Sequence, residues 1–250
     1  MTKKGNKVRL DRMLVDRGLT ASREQARALI LAGRVLVDGF KIDKAGSPVS
    51  VTAEMRVTGD LHPYVSRGGL KLRGALDAMG LDVSGLTVLD VGASTGGFTD
   101  CLLQSGAIKV YALDVGYGQL SWKLRTDKRV VPIERTNIRY FDGTGIAEPL
   151  DMATVDASFI SLKVILPKVV SLLRPGGLLL ALIKPQFEVG RGQVGKRGVV
   201  SDPALHQAVV EGSISLCRQL NLGGITTCES PLLGPAGNRE FFIHAQRPKE

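Results

Sequence analysis

The stretch "VLDVGASTGGFTDCL" (88–102) holds the first residues whose types and spacing could do chemistry. An apolar run reaches Asp90, glycines follow at 92, 96 and 97, and a helix-like pattern comes next. A glycine loop between a strand and a helix turns backbone N–H groups toward a ligand at the carboxyl end of a sheet. Taken alone this is weak, since any tight strand-to-helix turn uses glycine. The next strand, "KVYALDVG", ends in Asp114, 22 positions beyond Gly92. An acid there can accept hydrogen bonds from both ribose hydroxyls of a nucleoside cofactor. The spacing Gly92-x-x-x-Gly96-Gly97 is not the G-x-G-x-x-G of dinucleotide sites, and no Gly-Lys-Ser/Thr follows, which excludes a P-loop. A carboxylate at Asp90 disfavours a pyrophosphate and suits the ammonium and sulfonium charges of S-adenosylmethionine, which is therefore expected in preference to NAD. As a loop-capping acid, Asp90 would be compatible with either.

Three more residues stand where strands end. Asp156 closes the strand in "ATVDASFISL". Lys184 closes the apolar run 177–183 in "LLLALIKPQFE", and Pro185 stops the strand there. A lysine in that position is costly unless its amine reaches a partner or a cleft. Glu240 opens "REFFIHAQ"; if this last strand is antiparallel, its beginning lies on the same rim. Transfer of a methyl group to a ribose 2′-hydroxyl needs a base for a weak acid. A desolvated lysine beside a second cation can supply one, with carboxylates holding its geometry. Lys71, in "VSRGGLKLRGAL", is the candidate second cation, although nothing in the sequence alone brings it to the rim. Each residue taken singly reads as a surface ion pair.

The elements that must position these groups follow from periodicity. From residue 70 onward, apolar strands are expected at 87–92, 109–115, 130–134, 152–157, 177–184, 224–228 and 240–245. Helical segments, including 71–80, 97–105, 161–173 and 203–220, lie between most of them. Strands alternating with helices imply a doubly wound, mostly parallel seven-stranded sheet, an α/β domain over 70–250. "TGDLHPYVSRGG" carries the glycine, proline and polar residues of a linker, placed at 60–69.

Residues 1–59 form a separate small α+β unit. Leu10, Met13 and Leu14 share a helical face that Gly18 terminates. Ser22 and Gln25 form a capping box for a second helix with Ala26, Leu29 and Ile30 inward, and Gly33 ends it. "RVLVDGFKI" is a hairpin whose Asp38-Gly39 suits a type I′ turn, and Val49, Val51 and Val57 fall in short strands. The polar faces of the unit are basic: Arg9, Arg12, Arg23, Arg27 and Lys41 recur on helices and hairpin. The 250-residue chain carries a net charge of +9, which favours a polyanionic partner. A solvated helical face is the plain alternative; with few acids to neutralise the patch, RNA binding is expected. Arg67, and Arg191, Lys196 and Arg197 in the basic glycine-rich loop "EVGRGQVGKRGVV" (188–200), are further candidates for RNA phosphate contacts.

Composition excludes other classes. No apolar run approaches the ~20 residues of a membrane span, and the basic N-terminus has no apolar stretch behind it, so no secretory leader is expected. Three scattered cysteines without CxxC spacing fit reduced, buried thiols in a cytoplasmic protein, and no metal site is expected.

The N-terminal stretch "RLDRMLVDRGLTASREQARALILAGRVLVDG" resembles the S4 RNA-binding domain. Residues 60–250 resemble the FtsJ-like/RrmJ-like 2′-O-ribose methyltransferases, with Lys71, Asp156, Lys184 and Glu240 where that group's Lys-Asp-Lys-Glu tetrad belongs. Both together, with "VSRGGLKL", "DVGASTGGFTD", "DVGYGQLSWKLR", "ERTNIR", "DASFISL", "KPQFEVGRGQVGKRGVV" and "GPAGNREFF" in order, resemble the TlyA family, which also carries the name hemolysin A. The resemblance implies a Rossmann-like S-adenosylmethionine-dependent methyltransferase domain behind the S4 unit. It also implies 2′-O-methylation of cytidine in ribosomal RNA, free or in a ribosomal subunit. By family position, Gly92, Ala93, Ser94, Gly97, Phe98 and Asp114 would contact the cofactor and Asn137 would sit near its adenine or the cleft; Gly96, in the same loop, and Asp90 are counted with the cofactor-binding residues. A chain that stops soon after its last strand looks like the members acting on the large subunit alone, although its extra basic residues leave the small subunit open. Two other readings are carried forward: an RNA-binding protein with an inactive methyltransferase domain, and a membrane-active hemolysin, for which 5% aromatic residues and one tryptophan offer little material.

Overall fold

The computed structural model describes residues 7–20, 22–31, 33–58, 63–234 and 236–249. Residues 60–62 of the expected linker, and the side chains of Arg191 and Lys196 among the expected RNA contacts, lie outside the described residues. The chain divides into two compact units, Met1–Leu61 and His62–Glu250.

In the first unit, strand β1 (Lys7–Arg9) leads into α1 (Leu10–Asp16). Helix α2 (Arg23–Leu31) is followed by β2 (Val35–Val37), β3 (Phe40–Lys41), β4 (Pro48–Ser50) and β5 (Met55–Val57). β2 pairs antiparallel with both β3 and β5, and β1 with β4. The helices close over the strands because their apolar spacing matches: Leu10, Leu14, Ala26, Ile30 and Val35 are all fully buried. The capping hydroxyl of Ser22 accepts the Gln25 N–H at 3.2 Å. Asp38 and Gly39 both take positive φ, as a type I′ hairpin requires. Strand β1 escapes the sequence pattern because it is three residues long and two of them are charged.

The second unit contains α3 (Gly68–Met79), β6 (Thr87–Val91), α4 (Gly97–Gln104), β7 (Lys109–Leu113) and the short α5 (Trp122–Arg125). β8 (Val130–Ile133), β9 (Leu150–Val155), α6 (Leu162–Leu172), β10 (Leu173–Ile183) and the single-turn α7 (Pro185–Glu188) follow. α8 (Pro203–Gln219), β11 (Gly223–Glu229) and β12 (Phe241–Gln246) complete it. The strand order is β11-β12-β10-β9-β6-β7-β8. β12 runs antiparallel to both neighbours, and every other pairing is parallel. Strand alternation feeds two cores. Leu89, Val91, Tyr111 and Leu113 pack with α6 and α8 on one face. Val88, Val110 and Ala112 pack with α3, α4 and Leu124 of α5 on the other.

Part of the expected linker is built into this unit. The Val65 N–H donates to the buried carboxylate of Asp100 at 2.9 Å, Tyr64 packs on the α3/α4 core, and α3 begins at Gly68. A glycine that read as part of the linker serves here as a tight approach: a Cβ on Gly69 would collide with the ring of Tyr64. Of the cysteines, Cys101 and Cys217 are buried, whereas Cys228 on β11 is half-buried. Burial raises the thiols of Cys101 and Cys217 to about 11.

Candidate active site

Four side chains from four elements meet as two ion pairs at the carboxyl-end rim of the sheet. Lys71, in the first turns of α3, places its Nζ 2.5 Å from Oε2 of Glu240, and the two are 7% and 1% exposed. Lys184, immediately after β10, places its Nζ 2.7 Å from Oδ1 of Asp156, immediately after β9. The contact is an ion pair without hydrogen-bond alignment, which leaves Asp156 Oδ1 without a hydrogen-bond partner among the described residues. The Lys184 amine also donates to Ser158 Oγ at 2.9 Å. Register explains the convergence. Ile183 pairs with Phe241 in the antiparallel β10/β12 ladder, so the next residues outward, Lys184 and Glu240, leave the sheet side by side. Glu240 has a close backbone neighbour in Gly234, where a Cβ would collide with Oε1.

The glycine loop walls the same place. A cleft of about 370 Å³ is lined by Gly92, Ala93, Ser94, Gly97 and Phe98 of the loop region, by Ser66, Arg67 and Lys71, and by Asp156. That volume suits a small-molecule cofactor. Gly92 takes φ +84°, and a Cβ there would sit 2.7 Å from the Asp156 carbonyl, so only glycine allows strands β6 and β9 to close at this point. Ser94 is also left-handed (φ 49°). It is held by Asp114, whose Oδ2 accepts the Ser94 N–H at 2.8 Å while Oδ1 accepts that of Gly116 at 2.7 Å. Each carboxylate oxygen keeps a further lone pair for a ribose hydroxyl. Phe98 is buried and stacks on Phe242 at 6.1 Å, tying the loop to β12. A second cleft, about 200 Å³ between α6, α7 and α8, holds none of these groups.

Three of the expected cofactor contacts lie away from the cleft lining. Asp90 does not line the cleft. It points into the core beneath the loop, fully buried, accepting from Thr99 Oγ1 at 2.7 Å and Thr154 Oγ1 at 3.0 Å. Depth is the reason: Asp90 stands one residue short of the strand end, level with Thr154 and beneath α4, and so braces the loop from below. Gly96 is buried behind the loop, against Leu120 and Leu124. Asn137 is exposed and caps a 3-10 turn by accepting the Arg139 N–H at 3.1 Å; it is not part of the cleft lining.

Desolvation raises the Asp90 carboxyl to about 6, against the lowering effect of its two threonine hydrogen bonds. The unfolded chain ionises this group near its ordinary value of 3.8. Between pH 4 and 6 the folded state therefore holds the proton longer, and stability falls as pH rises, by roughly 3 kcal/mol from this group. Asp90→Asn keeps a hydrogen-bonding group and removes the ionisation. Urea midpoints of the variant are expected to lose that downward slope; a slope equal to the parent's would mean the charge is compensated elsewhere.

Outside the cleft, the N-terminal arginines are less free than expected. Arg9, Arg23 and Arg27 converge on the fully buried Asp11, and Arg12 pairs with Asp16 at 3.5 Å. Lys41 is exposed and lies across Gly33. Arg67 donates to the Leu233 carbonyl at the mouth of the cleft. In the 188–200 loop, Arg197 is exposed with φ +64°. The loop's end is stapled by Asn238, whose side chain accepts the Val200 N–H and donates to the Gly198 carbonyl, both at 2.9 Å. Sequence reasoning missed Ser158, Gly234 and Asn238, which stand two, six and two positions from a tetrad residue. It also missed Phe159, 90% exposed with φ +64° beside Phe187. A bulky residue in the left-handed region is a rare conformation that sequence does not announce.

A family profile described as FtsJ-like methyltransferase matches residues 64–247, and one described as S4 domain matches 8–55. The chain belongs to the TlyA family of FtsJ-like methyltransferases. It is 47% identical over 238 residues to the 16S/23S rRNA (cytidine-2′-O)-methyltransferase TlyA of Mycobacterium tuberculosis, covering 95% of this chain and 89% of that one. The 23S rRNA (cytidine-2′-O)-methyltransferase TlyA of Campylobacter jejuni is 33% identical, over 92% of this chain and 96% of its own. A solved structure from Streptococcus thermophilus that carries a hemolysin name is 41% identical with a TM-score of 0.76, covering 98% of this chain and 90% of that one. Among the described residues, no helix is long and apolar enough to cross a membrane.

Proposed function

We propose that this methyltransferase moves the methyl group of S-adenosylmethionine to the 2′-hydroxyl of cytidine in ribosomal RNA, acting in the cytoplasm on free RNA or a ribosomal subunit. The observation that carries the reading is the pairing of Lys71 with Glu240 and of Lys184 with Asp156 beside a cleft walled by the glycine loop. The printed activities of the Mycobacterium and Campylobacter relatives agree with it. Bound S-adenosylmethionine would supply an electrophilic methyl group. The loop backbone from Gly92 to Gly97 and the Asp114 carboxylate would hold the nucleoside part, and the cleft's polar wall at Ser66, Arg67 and Asp156 the amino-acid part.

The tetrad does the work on the acceptor. In its neutral form, having given its own proton to solvent, Lys184 Nζ would take the 2′-hydroxyl proton as the ribose oxygen attacks the methyl carbon. Asp156 and Ser158 fix the direction of that amine. Lys71 Nζ, anchored by Glu240, stands as a second cation at the cleft wall, where it attracts the RNA phosphate beside the reacting ribose. Burial of the Lys71–Glu240 pair and of the Lys184 amine limits the water that could compete for the methyl group.

Incubating the protein with S-adenosylmethionine and each purified ribosomal subunit, then mapping 2′-O-methylated cytidines, tests the proposal. New 2′-O-methylcytidine in large-subunit RNA, alone or with small-subunit RNA, is the expected result. Methyl incorporation confined to a base would overturn the ribose assignment. Calorimetry showing no S-adenosylmethionine binding, with or without RNA, would instead favour an RNA-binding protein with an inactive methyltransferase domain.

A further inference from the structure

The S4 unit buries one acid in the middle of its most basic surface. Asp11 is fully buried, yet its carboxylate reaches three arginines, Arg9 at the end of β1 and Arg23 and Arg27 on α2, whose side chains remain half in solvent. Arg9 grips it with two bonds, Nε to Oδ1 and Nη2 to Oδ2, both 3.0 Å. Arg23 Nη2 donates to Oδ2 at 2.9 Å, and Arg27 Nε approaches the same oxygen at 3.4 Å. The Arg12 N–H takes a further bond to Oδ1 at 3.0 Å. The carboxyl is held well below the usual acid range by these partners, Arg9 foremost, so it stays charged wherever the protein is folded.

From this geometry we infer that Asp11 is a positioning residue for RNA: it pre-assembles Arg9, Arg23 and Arg27 into one rigid guanidinium cluster that binds the RNA phosphate backbone. The inference rests on the proposed ribosomal RNA substrate and on RNA binding by the basic faces of the S4 unit. Three cations around one carboxylate leave two net positive charges and free guanidinium N–H donors facing solvent. Long arginine side chains lose much rotamer freedom when they bind, and a buried anchor removes part of that loss beforehand. A fork fixed in plane also matches the spacing of phosphate oxygens.

The consequence runs against simple electrostatics. Asp11→Asn adds one positive charge to an RNA-binding surface, which counterion release alone would turn into tighter binding. Pre-assembly predicts the reverse: affinity of the full chain for a large-subunit rRNA transcript weakens by about tenfold, the worth of a hydrogen bond to a charged group. In the Arg23→Ala, Arg27→Ala background, the same substitution should change RNA affinity by much less. Equal or tighter binding by a folded Asp11→Asn variant overturns the inference, as does an undiminished Asn effect in the double-alanine background.

Because Asp11 is buried, the substitution could unfold the unit, and a measurement on the unaltered protein then decides. Arginine Nε–H NMR order parameters in the free protein should show Arg9 and Arg23 as rigid, with the exposed Arg12 mobile as the internal control. Arg9 and Arg23 as mobile as Arg12 would overturn pre-assembly. Failure of the underlying reading looks different: Arg23→Ala with Arg27→Ala would leave RNA affinity and its salt slope unchanged.

Discussion

Lys184→Ala should reduce methyl transfer by about a thousandfold or more, the upper part of what a positioned base contributes, while S-adenosylmethionine affinity stays near that of the parent. The amine lies behind Asp156 and is not part of the cleft lining that the glycine loop shares with Lys71, which is why binding and chemistry should separate. Asp156 is itself only half-buried, so loss of its partner exposes the carboxylate to water and costs the fold little. Lys184→Arg sharpens the result. Arginine keeps the charge and can still reach Asp156, but it does not give up its proton. A base role predicts that Lys184→Arg is as inactive as Lys184→Ala. Substantial turnover by the arginine variant would move Lys184 from proton acceptor to a purely electrostatic part. Single-turnover rates at saturating S-adenosylmethionine, with affinity measured separately by calorimetry, make the distinction.

Glu240→Ala carries the largest expected loss of stability. It leaves the Lys71 ammonium, 7% exposed, without the carboxylate 2.5 Å away. Removing one member of a buried ion pair costs about 3–5 kcal/mol, chiefly through the uncompensated charge that remains. For a domain of this size, that lowers the melting temperature by about 6–12 °C at the smaller figure. Methyl transfer should fall as well, because Lys71 is no longer held at the cleft wall. The double variant Lys71→Met, Glu240→Leu separates the two effects, since an apolar pair of similar volume replaces the buried charges. It should regain most of the lost stability and none of the activity. A Glu240→Ala variant melting within about 2 °C of the parent would mean that water reaches Lys71 and the pair is energetically a surface one. Recovery of activity in the double variant would remove Lys71 and Glu240 from the reaction.

Much of the molecule was legible before any coordinates. The sheet strands and the long helices fall within a few residues of where apolar periodicity puts them, because strands buried on both faces leave continuous apolar runs and amphipathic helices leave a 3.6-residue stripe. The short elements were not. The single turns α5 and α7 carry too few residues to show a period, and β1 is mostly charged. Acids and lysines at strand ends were readable as candidates, since a polar residue closing an apolar run must find a partner or a cleft.

What sequence alone determined is local: strand ends that carry Asp156 and Lys184, a glycine at 92 and a hairpin at Asp38-Gly39, each fixed by backbone conformation or by the short-range cost of burying a polar group. Which groups touch was decided only by tertiary structure. Lys71 and Glu240 are 169 positions apart and meet because α3 packs beside an antiparallel last strand, a fact no local pattern encodes. The depth of Asp90 was likewise decided by packing: it pairs with Thr154 on the neighbouring parallel strand, two positions below Asp156 on the same side of the sheet. Its carboxyl therefore lies in the core below the loop, while Asp156, at the strand's very end, reaches the cleft.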